Sequence, residues 1–229
     1  MSATSPSILA GLIGAGIQGS RTPAMHEREG DAQGMRYLYR LIDLDKLGLD
    51  SSALPQLLDA AQQMGFTGLN ITFPCKQAII PLLDELSPEA RGIGAVNTVV
   101  FQDGTRIGHN TDCLGFAEGF RRGLNGVARR QVVQMGAGGA GAAVAHALLS
   151  EGVEQLHIFD VEPARAQALA DNLNQHFSGT RAHGAHVDRL GKAQGKLALG
   201  GLASLLDDHL GWNIAPKHDD LVCHATLSL

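Results

Sequence analysis

The segment QVVQMGAGGAGAAVAHALLSEGVEQLHIFD, residues 131–160, constrains this chain more than any other. It reads as a strand at 131–135, a glycine cluster at 136–141, a helix of small residues at 142–150 and a strand at 153–160 ending in an acid. That order is the βαβ unit of dinucleotide-binding sheets. Gly136 permits a tight strand-to-helix turn, Gly138 lets a diphosphate approach the backbone, and Gly141 allows close helix–strand contact. The cradle Gly136, Ala137, Gly138, Gly139, Ala140, Gly141 then offers unpaired N–H groups at a helix N-terminus to phosphate oxygens.

The same G-x-G-x-x-G spacing occurs earlier, at Gly14, Gly16 and Gly19. There Ser20-Arg21-Thr22-Pro23 follows, which is not expected to start a helix at the required spacing, and 24–35 lacks a small apolar face. This copy reads as a loop beside a substrate site, with 136–141 as the cofactor cradle.

Asp160 stands where a carboxylate accepts hydrogen bonds from the adenosine ribose hydroxyls and repels a 2′-phosphate. Val161, Glu162 and Pro163 follow it, not Arg or Lys. Arg165 lies nearby, as a cofactor contact or a helix-face charge. NAD is therefore the expected cofactor, with NADP disfavoured.

Upstream, strands are expected at 8–13, 36–43, 65–72 and 95–101, helices at 52–63, 76–86 and 113–124, and a hairpin turn at Asp103-Gly104. Beyond 160, a helix is expected at 163–176. Alternation of strands and helices predicts an α/β fold. A domain boundary is expected within the helix at 113–124, giving domains 1–115 and 116–229. The chain has 29 glycines in 229 residues, where average usage gives about 16. That excess suits tight turns and close backbone approaches.

The net charge of −5 and the lack of a Lys/Arg run argue against nucleic acid as a partner. No stretch has the length of a membrane span, and residues 1–6 carry no basic signal region, so a cytoplasmic protein is expected. The three scattered cysteines read as reduced thiols, not as a disulfide framework or a metal site.

Lys76 follows the turn Thr72-Phe73-Pro74-Cys75, and Asp112 follows His109-Asn110-Thr111. Asn70, Asn97 and Thr98 are further polar candidates. Oxidising an alcohol by hydride transfer needs a group to take the hydroxyl proton, and a lysine near a carboxylate can do so. Each also has a plainer reading, Lys76 as a surface charge at a helix start and Asp112 as the cap of the helix at 113–124.

The chain resembles the shikimate/quinate dehydrogenases, in particular their NAD-preferring quinate/shikimate branch. The matching segments, in the family's order, are SRTPAMH (20–26), GLNITFPCK (68–76), GAVNT (94–98), GHNTD (108–112) with Gly115, and GAGGAG (136–141). The resemblance implies an N-terminal α/β substrate domain plus a Rossmann-type NAD-binding domain. It implies Lys76 and Asp112 as the catalytic pair and Ser20 and Thr22 on a substrate carboxylate. Asn97 and Asp112 would hold ring hydroxyls, with Asn70 and Thr72 more peripheral. Thr22, where many strict shikimate enzymes carry serine, leans toward quinate. The implied reaction is reversible oxidation of quinate or shikimate to 3-dehydroquinate or 3-dehydroshikimate, in the shikimate pathway of aromatic amino acid biosynthesis. A homodimer is compatible with this reading.

After about residue 190 the resemblance ends. His224-Ala225-Thr226 echoes a family loop near the nicotinamide, but Leu227 replaces its proline. The Rossmann half is therefore expected to be C-terminally incomplete, through truncation, a splice-like rearrangement or a changed reading frame, with a bare sheet edge and reduced or absent turnover. Two further functions compete: an impaired relative that binds ligand as a sensor or partner protein, and an aminoshikimate or methylene-tetrahydrofolate type of oxidoreductase.

Overall fold

The computed structural model describes residues 7–124, 126, 128–189, 212–217 and 220–225, the last two segments as backbone only. The expectation about Thr226 and Leu227, and most of the tail from 190, lie outside the described residues. Contacts divide the chain into two compact units between Thr111 and Asp112. That is the start of the helix in which the sequence places the boundary, and not its interior.

The first unit opens with β1 (Ser7–Gly14), α1 (Thr22–Ala32) and β2 (Arg36–Asp43), followed by the single turn α2 (Leu44–Leu47). The helix α1 corrects the sequence reading. Pro23 sits in its first turn, where a missing N–H costs nothing. Its apolar face is poor, but Gly30 lets it lie almost on β2: a Cβ there would fall 2.4 Å from that of Tyr37.

α3 (Leu54–Gln63) buries Leu54, Leu58 and Ala61. Two buried leucines contribute about 3–6 kcal/mol, which fixes a helix too short to persist alone. Gly65, at φ 82°, closes α3, so β3 (Gly68–Ile71) begins later than 65.

The expected helix at 76–86 is instead α4 (Cys75–Ala78), a 3₁₀ turn (Ile80–Leu82) and β4 (Glu85–Leu86). Pro81 has no N–H to continue α4 and starts the tighter turn. α5 (Pro88–Ile93) is capped by Ser87, whose side chain accepts from the Ala90 N–H, and stopped by Gly94 at φ 69°.

β5 (Thr98–Gln102) and β6 (Thr105–His109) form the expected hairpin, with Asp103 and Gly104 both at positive φ. The sheet order is β2-β1-β3-β5-β6-β4. β1 is parallel to both neighbours, and β5 is antiparallel to both of its own. One face packs Ile13, Leu58, Leu69, Ile79 and Val99; the other packs Ala10, Leu12, Ile17 and Tyr39.

The second unit holds α6 (Asp112–Gly123), β7 (Gln131–Met135), α7 (Gly139–Ser150), β8 (Gln155–Asp160), α8 (Pro163–His176) and β9 (Ala182–His186). β10 (Trp212–Lys217) and β11 (Asp220–Ala225) complete it. α6 belongs wholly here because Cys113, Phe116, Ala117 and Phe120 are buried and the helix packs on α7. α7 is buried from Ala140 to Leu149, which only small and aliphatic side chains permit.

The sheet order is β10-β11-β7-β8-β9. β7, β8 and β9 run parallel. The bare edge expected beside β7 is not there: β11 pairs with it in parallel, and β10 pairs antiparallel with β11. The strand order therefore reverses at β7, and the glycine cluster leaves its carboxyl end. That is where doubly wound sheets bind ligands.

Gly184 of β9 touches the backbone of α8, where a Cβ would come within 2.4 Å of Ala166. Backbone cannot yield as a side chain can, so Gly184→Ala is expected to destabilise the second unit by about 1–3 kcal/mol. Urea denaturation checks this, and an unchanged midpoint would contradict it.

Asp43, at the end of β2, is buried. Burial pushes its carboxyl up. Hydrogen bonds from Gln18, Gly16, Asp45 and Lys46 outweigh that and hold it below its ordinary value. A lowered folded-state value stabilises the fold above the ordinary carboxylate range, and that stabilisation fades as pH falls through the lowered value. Wild type is thus expected to melt above Asp43→Asn at pH 6, with the gap closing in acid. A gap independent of pH would count against the charge.

Candidate active site

In the first unit the loop after β1 carries Ser20, and Thr22 opens α1 beside it. Their hydroxyl oxygens are 2.7 Å apart, and the Thr22 N–H donates to Ser20 Oγ at 3.3 Å. Both side chains are half-buried. The loop is held by Asp43, whose carboxylate accepts from the N–H groups of Gly16 (3.0 Å) and Ile17 (3.1 Å) and from Gln18 Nε2 (3.0 Å). The first glycine turn therefore already has an anion on its N–H groups. The first turn gives two N–H groups and the Gln18 amide to its aspartate; the presence of a following helix does not set it apart from the second.

Lys76 lies in the first turn of α4 and is 8% exposed. Its backbone C=O accepts from the Val96 N–H at 2.8 Å, while the Ile71 N–H donates to the Asn97 C=O at 2.8 Å. These two bonds lay the lysine segment and the end of β3 along the stretch Val96-Asn97 that leads into β5. The plain reading of Lys76 as a surface charge does not hold: a buried ammonium costs several kcal/mol unless partnered.

Asn70, Thr72 and Asn97 gather around the same strands. Thr72 and Asn97 are buried, and Asn70 is half-buried. Asn70 Nδ2 donates to Thr98 Oγ1 (3.1 Å), and Thr98 Oγ1 donates to Asn97 Oδ1 (3.1 Å). Asn97 Nδ2 donates to Thr111 Oγ1 (2.8 Å) and Oδ1 accepts the Thr111 N–H (2.9 Å). Tyr39 joins at the other end, its hydroxyl donating to Asn70 Oδ1 at 2.6 Å. Asp112, the next residue after Thr111, opens α6 in the second unit. A carboxylate in a helix's first turn is favoured by the dipole. Phe73-Pro74, before Lys76, is a cis peptide.

In the second unit, Gly136 has φ 97°, which a side chain resists. A Cβ on Gly141 would lie 2.3 Å from the Gly136 carbonyl oxygen, so this glycine is required for contact. At Gly138 a Cβ would meet nothing within 4 Å, which leaves room above the turn. Gly138 is also the N-cap of α7, with no side-chain cap. The N–H groups that begin α7 therefore suit a diphosphate.

The expected cradle residues thus come together as one turn, closed by Asp160. Asp160 is buried; Oδ2 accepts from the Ala137 N–H and Oδ1 from the Glu162 N–H, each at 2.8 Å. Below the turn, Gln134 Nε2 donates to the carbonyls of Gly136 and Gly141, both at 2.9 Å. Arg165 is exposed and paired with Glu162 at 2.9 Å.

Sequence reasoning missed Tyr39, Asp43 and Gln134. Asp43 carried a usable signal, since it ends the strand that follows a glycine turn, as Asp160 does. Tyr39 and Gln134 carried none: each sits in an ordinary strand pattern. No helix among the described residues is long and apolar enough to cross a membrane, and no cluster of metal-ligand side chains occurs among them.

Residues 12–99 match the family model of the shikimate dehydrogenase substrate binding domain. A shikimate dehydrogenase (NADP(+)) of Streptomyces avermitilis is 56% identical over 189 residues, covering 82% of this chain and 65% of the relative. A quinate/shikimate dehydrogenase (NAD(+)) of Corynebacterium efficiens is 52% identical over 199 residues, covering 86% and 69%. The chain thus spans about two thirds of the length of these relatives. The solved quinate dehydrogenase from Corynebacterium glutamicum in complex with NAD superposes with a TM-score of 0.76 at 49% identity, covering 82% of this chain and 67% of that one. Identity at this level, over both units and most of two dehydrogenases, places the chain in the shikimate/quinate dehydrogenase family.

Proposed function

We propose that this chain is an NAD-dependent quinate/shikimate dehydrogenase, oxidising a ring hydroxyl to give 3-dehydroquinate or 3-dehydroshikimate. The observation that carries the reading is a lysine buried to 8% exposure and bonded through its backbone alongside Asn97. A polar apparatus of that kind has a use if a polyol binds there. Membership of the family supports the same reading over the folate and aminated-substrate alternatives.

The residues divide the work. Ser20 and Thr22 present paired hydroxyls to the substrate carboxylate. Asn97 and Asp112 hold ring hydroxyls, with Asn70 and Thr72 at the margin. Lys76 Nζ takes the hydroxyl proton as the carbon–oxygen bond becomes a carbonyl, and Asp112 is its catalytic partner. Gly136 to Gly141 would hold the diphosphate of the dinucleotide, whose nicotinamide, when bound, supplies the hydride acceptor.

NAD is favoured over NADP by charge. The Asp160 carboxylate is buried at the end of β8 and would stand against a 2′-phosphate. Arg165, the nearest cation in sequence, is engaged by Glu162. An exposed pair of this kind is worth less than about 1 kcal/mol, so Arg165 could turn to the adenosine end. It remains a peripheral cofactor contact in this proposal.

Removing the proton acceptor is expected to lower kcat by roughly 10²–10⁴-fold. Lys76→Ala, assayed by reduced-nicotinamide absorbance with quinate or shikimate, checks this. Retained turnover in that variant would remove Lys76 from the chemistry. For the cofactor, Asp160→Ala is expected to weaken NAD+ and to raise the NADP+/NAD+ ratio of kcat/KM by at least about tenfold, one pair's worth of charge repulsion. An unchanged ratio would mean that Asp160 only braces the turn.

A further inference from the structure

The hydrogen-bond chain in the first unit runs in one direction, and its direction can be derived. The Thr111 backbone N–H can only donate, so the Asn97 oxygen that receives it is fixed as Oδ1. Asn97 Nδ2 must then donate to Thr111 Oγ1. The Thr98 hydroxyl lies against Asn97 Oδ1 and must give its one hydrogen there. Having spent that hydrogen, Thr98 Oγ1 can only accept from Asn70, which fixes Asn70 Nδ2 toward it. Asn70 Oδ1 is left for Tyr39, whose hydroxyl must donate. Five residues therefore share one polarity, and chains of this kind strengthen each other's bonds.

We propose that Tyr39 is a positioning residue for the polyol subsite, holding the Asn70 amide so that its nitrogen, and not its oxygen, is offered to a ring hydroxyl. This rests on the reading of Ser20, Asn70, Asn97 and Lys76 as a polyol-carboxylate site. The Tyr39 hydroxyl is at 2.6 Å from Asn70 Oδ1, and the residue is 3% exposed. Burial, and then the neighbouring Tyr37, push its phenol well above the ordinary range, so it stays a donor at any working pH. The ring is held separately, stacked on His26 with centroids 4.5 Å apart, and His26 Nδ1 lies 2.9 Å from the Thr22 carbonyl oxygen. One aromatic residue thus touches both halves of the subsite: the hydroxyl bonds to Asn70, and the ring packs on the side chain tied to Thr22.

That separation makes a clean test. Tyr39→Phe keeps the ring and its stacking and removes only the donor. Isothermal titration of quinate and shikimate, and separately of NAD+, into the full chain compares wild type, Tyr39→Phe, Thr98→Val and the double variant. Loss of one buried hydrogen bond predicts roughly three- to tenfold weaker polyol binding in Tyr39→Phe. NAD+ affinity is expected to be unchanged. The double variant should lose less than the product of the two single losses, because both cut the same chain.

Unchanged polyol affinity in a folded Tyr39→Phe overturns the inference, as does an equal loss for NAD+, which marks a general structural effect. If Tyr39→Phe does not fold, Thr98→Val breaks the chain at its middle, and unchanged polyol affinity there overturns it equally. Wild type that binds neither carboxylate refutes the polyol reading itself, and this inference with it. That outcome is visible before any variant is made.

Discussion

A backbone N–H buried at a strand-to-helix turn must be given an acceptor, and the rest of this structure follows from how that is done. Each unit solves it with an aspartate at the end of the next strand. In the first unit Asp43 takes two loop N–H groups and the Gln18 amide. In the second, Asp160 takes one from the glycine turn and one from its own following residue. The first arrangement puts the protein's own anion on the turn, which then carries Ser20 and leads into α1 at Thr22. The second braces one side of the turn, and at Gly138, the N-cap of α7, a Cβ would meet nothing within 4 Å. The same local device thus yields a turn occupied by its own carboxylate in one unit and, in the other, a turn whose geometry suits the diphosphate of the proposed cofactor.

The sequence was most legible where side-chain chemistry and backbone geometry coincide. Gly136 and Gly141 are glycines because one has positive φ and the other has no room for a Cβ, and both facts are written in the spacing. Lys76 and Asn97 stood out through the motifs around them. The reading of α1 failed because it looked for an apolar face. The helix is held instead by Gly30 on β2, a close contact that periodicity cannot register. The long helix expected at 76–86 breaks at Pro81, whose missing N–H cannot continue α4. The edge of β7 is covered by β11, whose pairing needs only an extended backbone and so leaves little mark in the side-chain pattern. Tyr39 was illegible because its role depends on a partner 31 residues away.

Fold and family are consistent at every level. The two units have separate sheets, of order β2-β1-β3-β5-β6-β4 and β10-β11-β7-β8-β9. The first carries hydroxyl and amide groups suited to a polyol carboxylate, the second a turn suited to a diphosphate. Family relatives named for NAD(+) and for NADP(+) both match closely. The choice between them therefore rests on local charge at Asp160, and kinship alone does not decide it.

The proposal that a dinucleotide binds the second glycine turn and not the first can be tested amide by amide. A two-dimensional ¹H–¹⁵N NMR titration of the full chain with NAD+ reads each N–H directly. The account predicts large shifts for the amides of Gly136 to Gly141 and none for Gly16 and Ile17. Shifts at Gly16 and Ile17, with the 136–141 amides unmoved, would contradict it.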